Sequence, residues 1–228
     1  MDVHKRFRIA AYPIVSLILA CGGCGGAGGY GEGVSIPQTR QQQLSGAASE
    51  SVTLSFPTNA EFNVTEAQRH STGDGRSESF ARPDGTAQCQ ASIDGKGTAW
   101  GEFQVGHIIK NDTTKPIETD IRFDCEYEYA VNAKGNGTFH PEMIGLKMYI
   151  QDSNRHVLKR VPLVSNDSPL GASEQSGQQS PTFHLTMEPG LAYQFILAGR
   201  VEVSADDSAQ DIEARIEVKS FSIEVHQH

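Results

Sequence analysis

Two aromatic side chains, one row of charges and a few histidines and carboxylates are the groups whose types and spacing could do chemistry in this chain. Trp100 is the only tryptophan and follows Gly95-Lys-Gly97, and Tyr149 falls at an outward position of an alternating segment. Aromatics so placed can stack on sugar rings or anchor a protein interface, with core packing the competing account of a lone tryptophan. Arg122, Asp124, Glu126 and Glu128 recur at every second residue, a spacing that sets four charges on one face of a strand. Such a row could meet a basic partner, although an outward face of a half-exposed sheet is charged by default. Asp206-Asp-Ser-Ala-Gln-Asp211, with Glu213, could offer oxygen ligands to Ca²⁺ but lacks the glycine and register of an EF-hand. His107 lies in phase with Phe103 and Val105, as a hydrogen-bonded core or edge histidine would, while His226 and His228 suggest a frayed end with weak metal-binding character. No Gly-x-Ser-x-Gly, His-Glu-x-x-His or Ser-x-x-Lys sequence occurs, nor a phosphate-cradling glycine loop before a helix. The expectation is a chain with no catalytic residues, no metal and no cofactor.

The four cysteines divide by position. Lys5, Arg6 and Arg8 precede an apolar run from Ile9 to Leu19, which has the length of a signal-peptide core and is too short to span a bilayer. Ile18-Leu-Ala-Cys21 follows at once. This arrangement resembles the lipobox of bacterial lipoprotein precursors, with an aliphatic residue at −3, a small one at −1 and an obligatory cysteine. The resemblance implies cleavage before Cys21 and a diacylglyceryl group on its thiol, with residues 1–20 removed as signal peptide. It also implies transport to the outer membrane if the cell has one, because Gly22 rather than Asp stands at +2. Two or three acyl chains would anchor stably where one binds marginally. The membrane is then a partner through lipid, and the location is the extracytoplasmic side of a bacterial cell envelope.

Removing residues 1–20 leaves 16 basic and 27 acidic residues, a formal charge of −11. Such a chain repels phosphate backbones and anionic lipid headgroups, and no run of Lys and Arg offsets that, so nucleic acid is excluded as a partner. Residues 21–50 are rich in Gly and Gln and hold no apolar period, which makes them a flexible tether with a reach on the order of 30 Å. Cys24 sits within it as a spare thiol or an intermolecular link. Cys89 and Cys125 fall in segments read as strands, and an exported compartment permits oxidation, so a disulfide between them is expected. Asn63, Asn111, Asn136 and Asn166 each open an Asn-x-Ser/Thr sequence. These are glycan acceptors in some settings and backbone-capping turns in most bacterial ones, with Glu61 giving Asn63 an additional bacterial acceptor feature.

These groups need a scaffold, and residues 51–228 supply the pattern of one. Ile121, Phe123, Cys125, Tyr127, Tyr129 and Val131 alternate with charged residues, the mark of a half-buried strand. Leu146, Met148 and Ile150 alternate likewise, and Asp152-Ser-Asn-Arg155 then turns toward Val157 and Val161 as a hairpin. Further strands are read at 52–56, 87–93, 99–109, 182–187, 192–204 and 211–225, the last with a bend or bulge near Lys219-Ser220. With no helical period between them, these segments predict an all-β, antiparallel β-sandwich. Gly106-His-Ile-Ile-Lys-Asn111, Lys115-Pro-Ile117, the strand from Ile121 and the late Glu188-Pro-Gly190 are similar to immunoglobulin-like accessory domains of bacterial envelope proteins. That likeness implies an immunoglobulin-like sandwich and almost nothing about activity.

Together these readings describe a lipid-anchored, non-catalytic binding or structural module whose partner is an envelope protein or glycan. A carbohydrate-binding or adhesion module is the alternative, and it requires Trp100 and Tyr149 to be exposed and near each other. A polysaccharide hydrolase stands further back, since it needs two carboxylates converging in a cleft about 5–9 Å apart.

Overall fold

The computed structural model describes residues 42–43, 52–134, 143–165, 175–206 and 211–228. All regular structure among them is β: β1 (Gln42–Gln43), β2 (Val52–Phe56), β3 (Val64–Ala81), β4 (Ala87–Lys110), β5 (Ile117–Lys134), β6 (Met143–Asp152), β7 (Val157–Val164), β8 (Gln175–Gln179), β9 (Thr182–Met187), β10 (Ala192–Ala205) and β11 (Asp211–Gln227). No helix here is long and apolar enough to cross a membrane. The fold is an all-β antiparallel sandwich, as the alternation predicts. Residues 1–41, with Cys21 and most of the 21–50 tether, residues 44–51 and the sequences at Asn136 and Asn166 lie outside the described residues, as does the middle of the acidic connection, 207–210.

The β3–β4 hairpin runs through both sheets. The first half of β4 pairs with β11, Asp94 opposite Asp211 and Ala87 opposite Val218, and the second half pairs with β10, Gly97 opposite Ala205 and Lys110 opposite Ala192. Between the halves, Gly95 and Gly97 adopt φ of 128° and 152°, a region that side-chain-bearing residues avoid, and β3 carries an irregularity opposite them between Gly73 and Gly75. This is the corner at which a strand changes sheet. One sheet, called A here, is completed by β10, β6 and the edge strand β7. The other, sheet B, is completed by β11 and β5, with β8 and β9 on the outer side of β5 and β2 beside the end of β11. Sequence alternation reads β4 as two strands because the glycines interrupt the apolar pattern. The structure has one strand bent at that point.

The inward residues of both sheets make one apolar core. Phe123 of β5 lies 6.4 Å from Phe195 of β10, joining the sheets, and 5.9 Å from Phe221 of β11. Cys125, Tyr127, Tyr129 and Val131 share that buried face, as their spacing predicts. The bulge expected near Lys219 falls between Val218 and Ser220. It allows β11 to keep its apolar side inward over both halves despite its length.

Asn111 closes one end of the sandwich. Its side-chain amide donates to the carbonyls of Lys115 (2.9 Å) and Met187 (2.7 Å), and its Oδ1 accepts from the Thr113 backbone N–H and hydroxyl. Its own carbonyl accepts from Gly190. Strand end, Lys115-Pro connection and Glu188-Pro-Gly turn therefore meet at one buried side chain. This Asn-x-Thr sequence is a turn cap, with no free amide nitrogen to carry a glycan. Asn63 is similarly engaged, its Oδ1 accepting from the Ile108 N–H at 2.9 Å.

Cys89 and Cys125 are free, buried thiols, which corrects the expected disulfide. Both do lie on inward faces, but β11 runs between their strands: Cys89 stands opposite Ile216, and Cys125 opposite Phe221. Two strand spacings and five positions along β11 put their Cα atoms about 15 Å or more apart, beyond the ~7 Å limit for a bridge. Burial raises both thiols well above their ordinary pKa, Cys125 to about 12, so they are small apolar core groups rather than nucleophiles.

Candidate binding face

Strand pairing decides which side chains share an outer face. On sheet A, successive rows across β3, β4, β10 and β6 are His70–Trp100–Glu202, then Gln68–Glu102–Arg200, then Glu66–Gln104–Ala198–Lys147, with Ile196–Tyr149 beyond. The face carries both aromatics of the sequence reading together with several amides and two cations.

Trp100 is half-buried, with a cation over one face of its ring. The Arg200 guanidinium lies 4.9 Å from its ring centre, and His70 approaches at 6.1 Å. Arg200 in turn donates to Glu102 (2.8 Å) and Glu202 (2.8 Å). Burial works against the guanidinium charge, but these two carboxylates outweigh it and leave its pKa above the ordinary value. An arginine fixed at both ends presents a planar cation that stacks on an indole at little further entropic cost. The result is an indole with one face covered by a cation that two carboxylates hold.

Tyr149 corrects part of the expectation. It does lie on the outer face of sheet A, but it is buried, packed with Val64 and Ile196 and with Ile108 and Ala198 alongside. Its hydroxyl donates to Gln104 Oε1 (3.3 Å), and burial, reinforced by Glu66, pushes its pKa up to about 12. Ala198 beneath it leaves room for the ring to lie on the sheet. Trp100 pairs with Glu202 and Tyr149 with Ile196, so six positions of β10 separate them, about 20 Å. They form no common aromatic platform. The Gln151–Gln194 pair (2.6 Å) and Gln104 supply polar groups around Tyr149 instead.

The charged row faces the opposite side of the molecule. Arg122, Asp124, Glu126 and Glu128 lie on the outer face of sheet B as expected, but they are partly self-neutralised: Arg122 donates twice to Asp124 Oδ1 (3.0 and 3.2 Å), and Lys219 bridges Glu128 (3.1 Å) and Glu217 (2.6 Å). Further along the same face stands a cluster that the sequence does not reveal. Asp120 accepts from His184 (3.0 Å) and His228 (2.9 Å), and His184 also meets Glu118 (2.9 Å). The hydrogen bond from Asp120 is the largest influence on His184 and raises its pKa; the bonds from His184 and His228 lower that of Asp120. His226 bonds to Thr53 across β11 and β2, so this end is paired, not frayed.

His107 is a core group. It is 1% exposed and stacks on Phe56 at 4.0 Å, and Asn63 lies 3.4 Å from its Nε2. Burial, opposed only by the Glu61 backbone, lowers its pKa to about 4. Asp74, Asp94, Asp211 and Glu213 line a shallow depression of about 220 Å³ with Arg76 and Gln90, and Gln90 donates to Glu213 at 2.8 Å. Enclosed small-molecule sites run to roughly 300–1,000 Å³, so this hollow is small for one. Among the described residues no group of three or more His, Cys, Asp or Glu is arranged to hold a metal ion.

No family model matches this sequence, and no curated protein matches it. Solved structures similar to it include infectious bursal disease virus, Gx strain (9% identity, TM-score 0.31, covering 78% of this chain and 32% of the viral one). A second is the CBM22-1 xylan-binding domain of Paenibacillus barcinonensis Xyn10C (11% identity, TM-score 0.23, covering 72% of this chain and 93% of that domain). A third is a carbohydrate-binding module of the β-sandwich superfamily (12% identity, TM-score 0.22, covering 77% of this chain and 57% of that one). At these identities and TM-scores the likeness carries no argument about what this chain does.

Proposed function

We propose that this chain is a lipid-anchored envelope protein whose β-sandwich is a non-catalytic binding module, with the outer face of sheet A as its contact surface. The observation that supports this most is the placement of Trp100. The one tryptophan is left half-buried on the outer sheet face with the Arg200 guanidinium over its ring, instead of being folded into the core. Aromatic residues held rigid before binding lose little conformational freedom when a ligand packs on them. The polar surround of Gln68, Gln104, Glu102 and Glu202 suits a hydroxyl-rich partner, so a glycan of the envelope is the ligand class this face fits best. The outer face of sheet B carries paired charges but no exposed aromatic ring of this kind, and offers less.

Two experiments test the reading. Intact mass and membrane fractionation of wild type beside Cys21→Ala examine the anchor: cleavage before residue 21 with added acyl chains, lost in the variant, is expected, and an unacylated soluble wild type contradicts it. Co-sedimentation with purified cell-wall polysaccharide, wild type beside Trp100→Ala, examines the face. Binding should fall at least tenfold in the variant with its melting temperature within a few degrees of wild type, and equal binding by both would move the site elsewhere.

A further inference from the structure

The outer strand of sheet A carries a feature at odds with the rest of the chain. Residues 155–160 read Arg-His-Val-Leu-Lys-Arg, every one exposed, in a protein of formal charge −9. Val157 (56% exposed) and Leu158 (39%) are the two large apolar side chains that stand out in solvent among the described residues. Arg155, Lys159 and Arg160 make no ion pair among the described residues, and Asp152 in the adjoining turn is already occupied by the Asn154 and His156 N–H groups and the His156 ring. Arg160 stands opposite Tyr149, and Lys147 sits 5.8 Å from the Tyr149 ring, so a further cation adjoins the first three. Burial and then the neighbouring Arg160 charge lower the Lys147 pKa, against a smaller opposing influence of the Glu102 carboxylate.

Pairing with another β-strand is a poor use of this edge. Pro162 lacks an N–H, and β7 meets β6 with irregularities between Leu146 and Lys147 and between Ile150 and Gln151, the devices by which exposed edges refuse further strands. Solvent protection accounts for the lysine and the proline but not for Val157 and Leu158. Cations flanking two exposed aliphatic side chains fit a partner that is anionic at its surface, extended sideways and apolar just beneath. We propose that Lys147 and the segment from Arg155 to Arg160 dock on anionic phospholipid headgroups, with Val157 and Leu158 entering the headgroup layer. This rests on the anchored reading above, and adds that the domain lies with its β7 edge against the bilayer while Trp100, about 20 Å away along the sheet, is left free.

Hydrogen exchange on the full chain reports on the edge independently of the anchor. The protein purified from bacterial membranes is reconstituted into vesicles of phosphatidylcholine alone, or of phosphatidylcholine mixed with phosphatidylglycerol, and flotation is recorded alongside exchange. The expected result is slower exchange of amides in 153–161, by about tenfold, with the anionic vesicles only, reversed by high salt and abolished in Lys159→Gln/Arg160→Gln, which still floats. A chain that floats with both vesicle types and exchanges at the same rate on both overturns the proposal and leaves the anchor standing. A chain that does not float contradicts the anchor, and added anionic vesicles then decide the edge alone: slowing at 153–161 supports it, no slowing overturns it. Slowing by soluble polyglutamate but not by vesicles also overturns it, in favour of an acidic protein partner.

Discussion

The two outer faces of this sandwich have similar inventories of polar residues and differ in how those residues are held. On sheet A, Arg200 is braced between two carboxylates and packs on Trp100, and Tyr149 is buried with its hydroxyl bonded to Gln104. On sheet B, Lys219 likewise bridges Glu128 and Glu217 and Arg122 pairs with Asp124, but among the described residues no aromatic ring packs on either cation. Exposed pairs of that kind contribute about 0–1 kcal/mol, because water screens them and side-chain entropy opposes them. A face fixed in advance binds at lower entropic cost than one that must be ordered. The comparison therefore separates a face on which a cation packs on an aromatic ring from one that carries paired charges alone.

Four measurements would break or sharpen that contrast. Tyr149→Ala should be the most damaging, costing about 3 kcal/mol in urea unfolding because a buried ring is lost, with Tyr149→Phe costing ~1 kcal/mol for the hydroxyl alone. A cost near zero would mean the ring is surface decoration like the charges of sheet B. Arg200→Met should cost about 2 kcal/mol, discounted from the fully buried case because the guanidinium is partly exposed, since Glu102 and Glu202 are left facing each other. Stability unchanged by this substitution would remove the argument that Trp100 is clamped.

On sheet B the histidine cluster should show itself only through pH. The folded pKa of His184 is raised above 6.5, so its contribution is complete below that value and disappears as pH climbs through the raised one; Asp120, lowered from 3.8, contributes above 3.8 and stops as pH falls through its lowered value. His184→Gln should flatten the alkaline side of the stability profile, and an unaltered profile would show that the contact does not persist in solution. The smallest effect is expected from Glu126→Gln and Glu128→Gln, within about 0.5 kcal/mol each by thermal unfolding. A larger loss would make the charged row structural and undo the contrast between the faces.

Strand alternation made much of this fold legible. The inward faces of β5, β6, β10 and β11 and the bulge in β11 follow directly from period-2 patterns in which one side meets the core. β3 was invisible for the converse reason: most of Thr65 to Arg76 is exposed, so Glu-Ala-Gln-Arg-His-Ser-Thr carries no apolar period to read. The candidate site was legible only in part. Trp100, Tyr149 and the row from Arg122 to Glu128 could be assigned to outward positions, but which of them share a sheet depends on strand order, and alternation carries no information about neighbours. The same gap explains the cysteines, correctly placed inward yet separated by β11, and the Arg200–Glu102 pair, 98 residues apart in sequence and adjacent only through register.

Because Trp100 is the only tryptophan in the chain, its emission reports on one face alone. The most direct test is a titration of the intact protein with solubilised envelope polysaccharide, following that emission in wild type and in Glu126→Gln/Glu128→Gln. Recognition through sheet A predicts a saturable change in Trp100 emission with the same midpoint in both proteins. Binding that leaves Trp100 emission unchanged and is lost in the double variant would place recognition on sheet B and contradict the assignment.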